Sequence, residues 1–146
     1  MRKITILILA IFVSGCATTL SPMQRRSIES KELEGDFDDA IKATLQVFQD
    51  HGYIIKSSDY QSGVIQGETG VKYGLLGVMT NFEITSTIEQ FGENRIRQRL
   101  SLVKKVKTSS QHGTREDSKI IDDPEMFQKL YDEIQKEMFI RKNLSR

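Results

Sequence analysis

The sequence predicts an α+β domain built as a two-layer sandwich. Two amphipathic helices would pack on one face of a four- to five-stranded antiparallel sheet. Three observations carry this. Apolar residues recur at helical spacing over Asp36 to His51 and again from Pro124 onwards. Between these segments, apolar and polar residues alternate with the period of two expected of strands with one wet face. Short connections rich in turn residues join those runs as hairpins.

Taken in order, residues 23–30 are polar, with Ile28 as the main apolar residue, and read as tether or a short edge strand. Lys31 to Gly35 reads as a turn region. Phe37, Ala40, Ile41, Leu45 and Phe48 then form one helical face. Asp36 is a good N-cap, and Asp38 and Asp39 sit favourably against the helix dipole. Gly52 fits the position after the helix, where the chain turns left-handed. Tyr53 to Ser57 and Val64 to Glu68 read as a strand pair around the turn Asp59 to Gly63. Residues 69–80 interleave Gly70, Gly74 and Gly77 with Val71, Tyr73, Leu75, Leu76, Val78 and Met79. Three readings stay open for them: a flap over the core, a membrane-touching loop, or part of a strand.

The clearest hairpin joins Phe82–Glu89 to Arg95–Leu102. Matching the apolar faces requires a three-residue loop, Gly92-Glu93-Asn94, with Asn94 left-handed. That register sets Ile88 opposite Gln98, Ser86 opposite Leu100, Ile84 opposite Leu102 and Glu89 opposite Arg97. Thr108 to Ser118 reads as an exposed polar loop, and Lys119 to Ile121 as a short strand. Asp123 and Pro124 then start the second helix as N-cap and first residue. Its buried stripe is Phe127, Leu130, Tyr131, Ile134 and Met138, with Arg141 and Lys142 near its C-terminal end.

The N-terminus reads as an address. Arg2 and Lys3 precede ten residues, Ile4 to Val13, that are almost wholly apolar. At ~1.5 Å per residue such a helix is too short for a ~30 Å hydrocarbon core, so it reads as an export signal. The chain of 146 residues has formal net charge +1. Removing residues 1–15 takes away Arg2 and Lys3, leaving 19 basic against 20 acidic residues, a net of −1. A near-neutral chain argues against a nucleic-acid partner. Cys16 is the only cysteine, so no intrachain disulfide forms and the exported thiol needs another use.

Val13-Ser14-Gly15-Cys16 resembles the lipobox of bacterial lipoproteins. The resemblance implies that the signal peptidase recognises Val13, Ser14 and Gly15, and that Cys16 carries a thioether-linked diacylglyceryl group and an acylated amine. Ala17 follows the cysteine, where an Asp would favour inner-membrane retention in such lipoproteins. The implied location is the outer membrane, on its periplasmic face. The expected organisation is a cleaved signal over 1–15, a lipid-anchored tether over 16–22 and one domain over 23–146. Gln46 to Tyr53, Ser57-Ser58-Asp59, Gly63-Val64-Ile65 and Asp123 to Phe127 resemble small bacterial lipoproteins. Their domain is similar to the helix-grip domains of BamC, a lipoprotein of the outer-membrane β-barrel assembly machinery. The resemblance implies fold and compartment, and does not extend to membership of that machinery.

Chemistry is sparse. His51 and His112 are the two histidines, and with one cysteine no zinc-site spacing exists. Gly70 to Gly74 lacks the spacing of a phosphate loop. No serine stands in a nucleophile-elbow pattern. Asp122 and Asp123 read as helix capping. The stripe Arg95, Arg97 and Arg99, continued by Lys105 and Lys107, has two readings. Either Glu83 and Glu89 pair with it, or it is a patch for anionic headgroups, lipopolysaccharide or an acidic partner. The expectation is a non-catalytic module without metal or cofactor beyond the covalent lipid, docking an envelope protein. The alternative is a small-ligand or lipid-binding lipoprotein, its pocket lying between helix and sheet and gated by residues 69–80.

Overall fold

The computed structural model describes residues 20–110 and 113–144. In chain order the elements are α1 (Pro22–Glu29), β1 (Ser30–Glu34), α2 (Phe37–Asp50), β2 (Tyr53–Asp59), β3 (Val64–Thr69) and β4 (Lys72–Tyr73). A 3₁₀ turn (Leu75–Gly77), β5 (Val78–Gln90), β6 (Arg95–Ser110), β7 (Gly113–Ile120) and α3 (Pro124–Leu144) follow. The fold is α+β with an open antiparallel sheet. Among the described residues it has seven strands and three helices, against the four to five and two expected.

The corrections have local causes. Residues 23–29 are neither tether nor strand but most of α1, and only Ser30 of the stretch is strand. Ser21 and Gln24 close a reciprocal capping box, with Gln24 Oε1 accepting from the Ser21 N–H at 3.0 Å and Pro22 at the first helical position. Residues 31–34 are not a turn but β1, paired with β6 from Ser30↔Arg99 to Glu34↔Arg95. Residues 108–110 and 113–118 are strand rather than loop, because β6 runs on to Ser110 and β7 pairs back along it. Residues 69–80 resolve into the end of β3, β4, the 3₁₀ turn and the start of β5.

Elsewhere the local chemistry acts as the sequence reads. Asp36 accepts the Asp39 N–H at 2.9 Å, and Gly52 ends α2 at φ +80°. Gly63 closes the β2–β3 turn at φ +67°, where an added Cβ would lie 2.2 Å from the Ile88 carbonyl oxygen, so only glycine fits. The β5–β6 register matches at all four expected pairs, and Asn94 takes φ 57°.

The strand order is β1-β6-β5-β3-β2. Two strands change neighbours along their length. β6 has β1 beside it over Arg95–Arg99 and β7 over Val103–Ser110. β5 has β3 beside it over Glu83–Thr87 and β4 at Met79 and Thr80. The sheet therefore has two halves. Ile65, Ile84, Ile88, Ile96, Leu100 and Leu102 point from the first half into the helices and are buried. Ala40, Ile41, Val47 and Phe48 of α2 meet them, with Phe127, Leu130, Tyr131, Ile134 and Met138 of α3. The second half, β4 with the start of β5, the end of β6 and β7, runs past the helices. β7 is exposed along its whole length. The core is drawn from Leu33 to Met138, so a chain beginning at residue 17 keeps all of it.

Candidate functional site

A cleft of about 840 Å³ lies between α1, β1 and α3. Its lining is mostly apolar, with Ile28, Pro124 and Tyr131 contributing, and it is open along one side. The rim carries both signs of charge. Lys31 of β1 binds Asp132 of α3 at 3.2 Å, and Glu125, Lys129, Glu133 and Lys136 stand along α3. Hydrogen bonding from Gln128 and the Lys31 ammonium hold the Asp132 carboxyl below the usual carboxylate range.

Three contacts fix the walls. Arg25 of α1 binds Asp122 at 2.8 Å. Arg99 of β6 reaches the buried Glu29 carboxylate at 2.9 Å. The Tyr131 hydroxyl donates to the Glu29 carbonyl and accepts from the Leu100 N–H at 3.2 Å. One side chain of α3 thereby ties α1 to β6. Burial pushes the Tyr131 phenol well above its ordinary pKa. At the edge of β1, Gln135 donates to the Glu34 carbonyl and accepts from its N–H, each at 3.0 Å. That side chain replaces a missing strand neighbour.

The arginine stripe is on one face, as its spacing requires; Glu83 pairs with its Lys105 extension as expected, but the arginines take other partners. Arg97 binds Glu32 at 3.1 Å and covers the Phe91 ring at 4.8 Å. Arg99 binds Glu29, while Glu83 is taken by Lys105 at 2.5 Å. Glu29 and Glu32 come from a stretch read as tether and turn, so this pairing was invisible without α1 and β1. Arg97 and Arg99 thereby tie β6 to β1 and α1.

Other singled-out residues find plain roles. His51 closes α2 and meets Glu133 of α3 at 2.5 Å. Asp123 caps α3 by accepting the Glu125 N–H at 3.0 Å, whereas Asp122 pairs with Arg25. Gln98, inward-facing and buried, donates to Thr44 at 2.9 Å and Ser86 at 2.8 Å. Val13, Ser14, Gly15, Cys16 and His112 lie outside the described residues. Among the described residues, no group of three His, Cys, Asp or Glu is placed to hold a metal ion. No helix among them is long and apolar enough to cross a membrane. Phe48, Ile41, Leu100 and Ile134 fill the interface between helix and sheet, and residues 72–80 border the other half of the sheet.

Sequence reading missed the cleft because it missed α1. The signal was present in Ser21-Pro22-Met23-Gln24, a capping-box spacing with proline at the first helical position. The chain matches no protein-family model and no curated protein.

Proposed function

We propose that this protein is a non-catalytic lipoprotein, anchored through Cys16 to the outer membrane on its periplasmic face, that docks a protein partner in the α1–β1–α3 cleft. The cleft is the observation that carries docking. An apolar floor within a mixed-sign rim is the anatomy of a protein interface, whereas small-molecule sites enclose most of their ligand. The anchor rests on Val13-Ser14-Gly15-Cys16. At ~3.5 Å per residue the six steps from Cys16 to Pro22 span at most about 21 Å, which keeps the cleft close to the bilayer. The fold reading that goes with it is a BamC-like helix grip, supported by the 21-residue α3 and the antiparallel sheet.

A photocrosslinking amino acid at Gln128, on the exposed lining of the cleft, tests the docking in cells. A discrete adduct with one envelope protein, lost in Ile28→Asp, is expected. Adducts with lipid alone, or a small molecule retained by the lipid-free chain in native mass spectrometry, would sink it. The anchor is tested separately. Cys16→Ala should leave the membrane fraction in high salt, and a variant that still pelleted would end the lipoprotein reading.

A further inference from the structure

The second half of the sheet ends in an apolar tip. Leu75 is 89% exposed, Tyr73 81% and Val71 48%. The 3₁₀ turn that carries Leu75 sits against the end of β6, where an added Cβ on Gly77 would touch the Ser109 carbonyl at 3.0 Å. A leucine and a tyrosine so placed contribute nothing to the core.

The same half is strongly basic. Residues 70–80 and 103–120 hold Lys72, Lys104, Lys105, Lys107, Arg115 and Lys119 against Glu116 and Asp117, an excess of four. The exported chain as a whole carries −1, so everything else sums to −5. Lys105 pairs with Glu83 and Arg115 with Asp117. Among the described residues, no carboxylate lies within ion-pair distance of Lys72, Lys104, Lys107 or Lys119. Lys104 even stands directly opposite Lys119 in the β6–β7 ladder, an arrangement that costs stability. Register places Lys72 and Lys107 nearest the tip, on opposite faces of the sheet and with Glu116 across the ladder from Lys107, and Lys104 and Lys119 further back.

We infer that this tip rests on an anionic lipid surface, with Leu75 and Tyr73 entering the headgroup region and Lys72 and Lys107 facing lipid phosphates. An exposed leucine beside an aromatic and lysines suits a headgroup boundary, where each has a favourable depth. A nucleic acid would satisfy the lysines but leave Leu75 in water. The inference rests on the lipid-anchor reading for its bilayer, because a tether of at most about 21 Å holds the domain beside the membrane that the tip would meet.

The test needs no lipid on Cys16, so its failure is distinct from failure of the anchor. The chain contains no tryptophan, and Leu75→Trp in residues 17–146 places a single reporter at an exposed site. With vesicles of phosphatidylglycerol and phosphatidylethanolamine, its emission should shift to the blue and be quenched by brominated acyl chains. Added salt should weaken the partition. Lys72→Gln with Lys107→Gln should weaken it on the order of 25-fold, roughly fivefold for each lysine removed. An unshifted emission would overturn the inference. So would equal partition into phosphatidylcholine vesicles, or a blue shift without vesicles, which would mean that a second copy covers the tip.

Discussion

Strands β5 and β6 each live in two environments. Between Arg95 and Leu102, the inward residues Ile96, Leu100 and Leu102 are fully buried beneath α2 and α3. Between Lys107 and Ser110 the same strand is exposed on both faces. The backbone ladder is continuous across the change, with β5 and β6 paired from Gln90↔Ile96 to Val78↔Thr108. Pairing alone thus extends a sheet beyond its cover, but stability is concentrated where apolar surface leaves water. The covered half carries the buried apolar stripe, whereas the uncovered half is held by strand pairing with its side chains in water.

The most direct way to break this contrast is to truncate side chains in each half. Phe48→Ala should cost about 3–5 kcal/mol and Ile134→Ala about 2–5 kcal/mol, since both are fully buried and leave a cavity. Val106→Ala, at the same chemical scale but in the uncovered half, should cost less than about 1 kcal/mol. Urea unfolding of the three variants checks the ratio. A Val106→Ala loss as large as that of Ile134→Ala would mean that the second half has a core of its own.

Tyr131 sharpens the boundary between the halves because it ties α1 to β6 at the edge of the cleft. Tyr131→Phe leaves the Leu100 N–H and the Glu29 carbonyl without their shared partner, a loss of about 1–3 kcal/mol at neutral pH. The pH dependence has a definite sign. Burial raises the folded phenol above the unfolded value of 10.0, so the unfolded chain releases this proton first as pH rises. The contribution is complete below pH 10 and is lost on going further alkaline. Tyr53, also raised by burial, adds a second such term. Tyr131→Phe should therefore flatten, but not abolish, the fall in stability above pH 10, as read by denaturant titration across that range.

The two halves were also unequally legible. In the covered half, Phe82 to Leu102 shows its register because burial imposes a period of two and Asn94 accepts the left-handed turn. The α3 stripe was legible for the same reason. β7 was legible only at its end, where Lys119 to Ile121 reads as strand, because Thr114–Lys119 is polar throughout and has no buried side to record. α1 was hidden by its polarity, with Ile28 alone reaching the core margin. The cleft depends on α1, whose apolar pattern is nearly silent, whereas the tip over residues 70–80 is apolar enough to be noticed but fits neither period. Charge counting over the whole chain also concealed the tip, since its excess is cancelled elsewhere.

Arginines of the covered half offer a finer comparison. Arg99 neutralises Glu29, whose side chain is 3% exposed, whereas the Glu32 partner of Arg97 is half exposed. Arg99→Ala should cost roughly 1–2 kcal/mol, below the range for fully buried pairs because the arginine itself is wet. Arg97→Ala should cost less than about 1 kcal/mol. Adding Glu29→Gln to Arg99→Ala should recover part of the loss by removing the stranded charge. Equal effects at both arginines in thermal unfolding would return the stripe to the role of a surface patch.

The smallest expected effect has the opposite sign. Lys104 and Lys119 face one another across the β6–β7 ladder, and like charges so placed are destabilising. Lys119→Glu converts the pair to an attractive one and should raise stability by about 0.2–1 kcal/mol. Lys119 is exposed, so the substitution disturbs no packing. Salt should reduce the gain, because screening weakens repulsion in the parent and attraction in the variant alike. If the repulsion is retained for an anionic surface, the same variant should bind phosphatidylglycerol-containing vesicles more weakly while unfolding at a higher temperature. Opposite movements of stability and binding are the signature of a residue kept for its contact rather than for the fold. A variant that gained stability and lost no vesicle binding would place Lys119 outside the contact, leaving Lys72 and Lys107 to carry it.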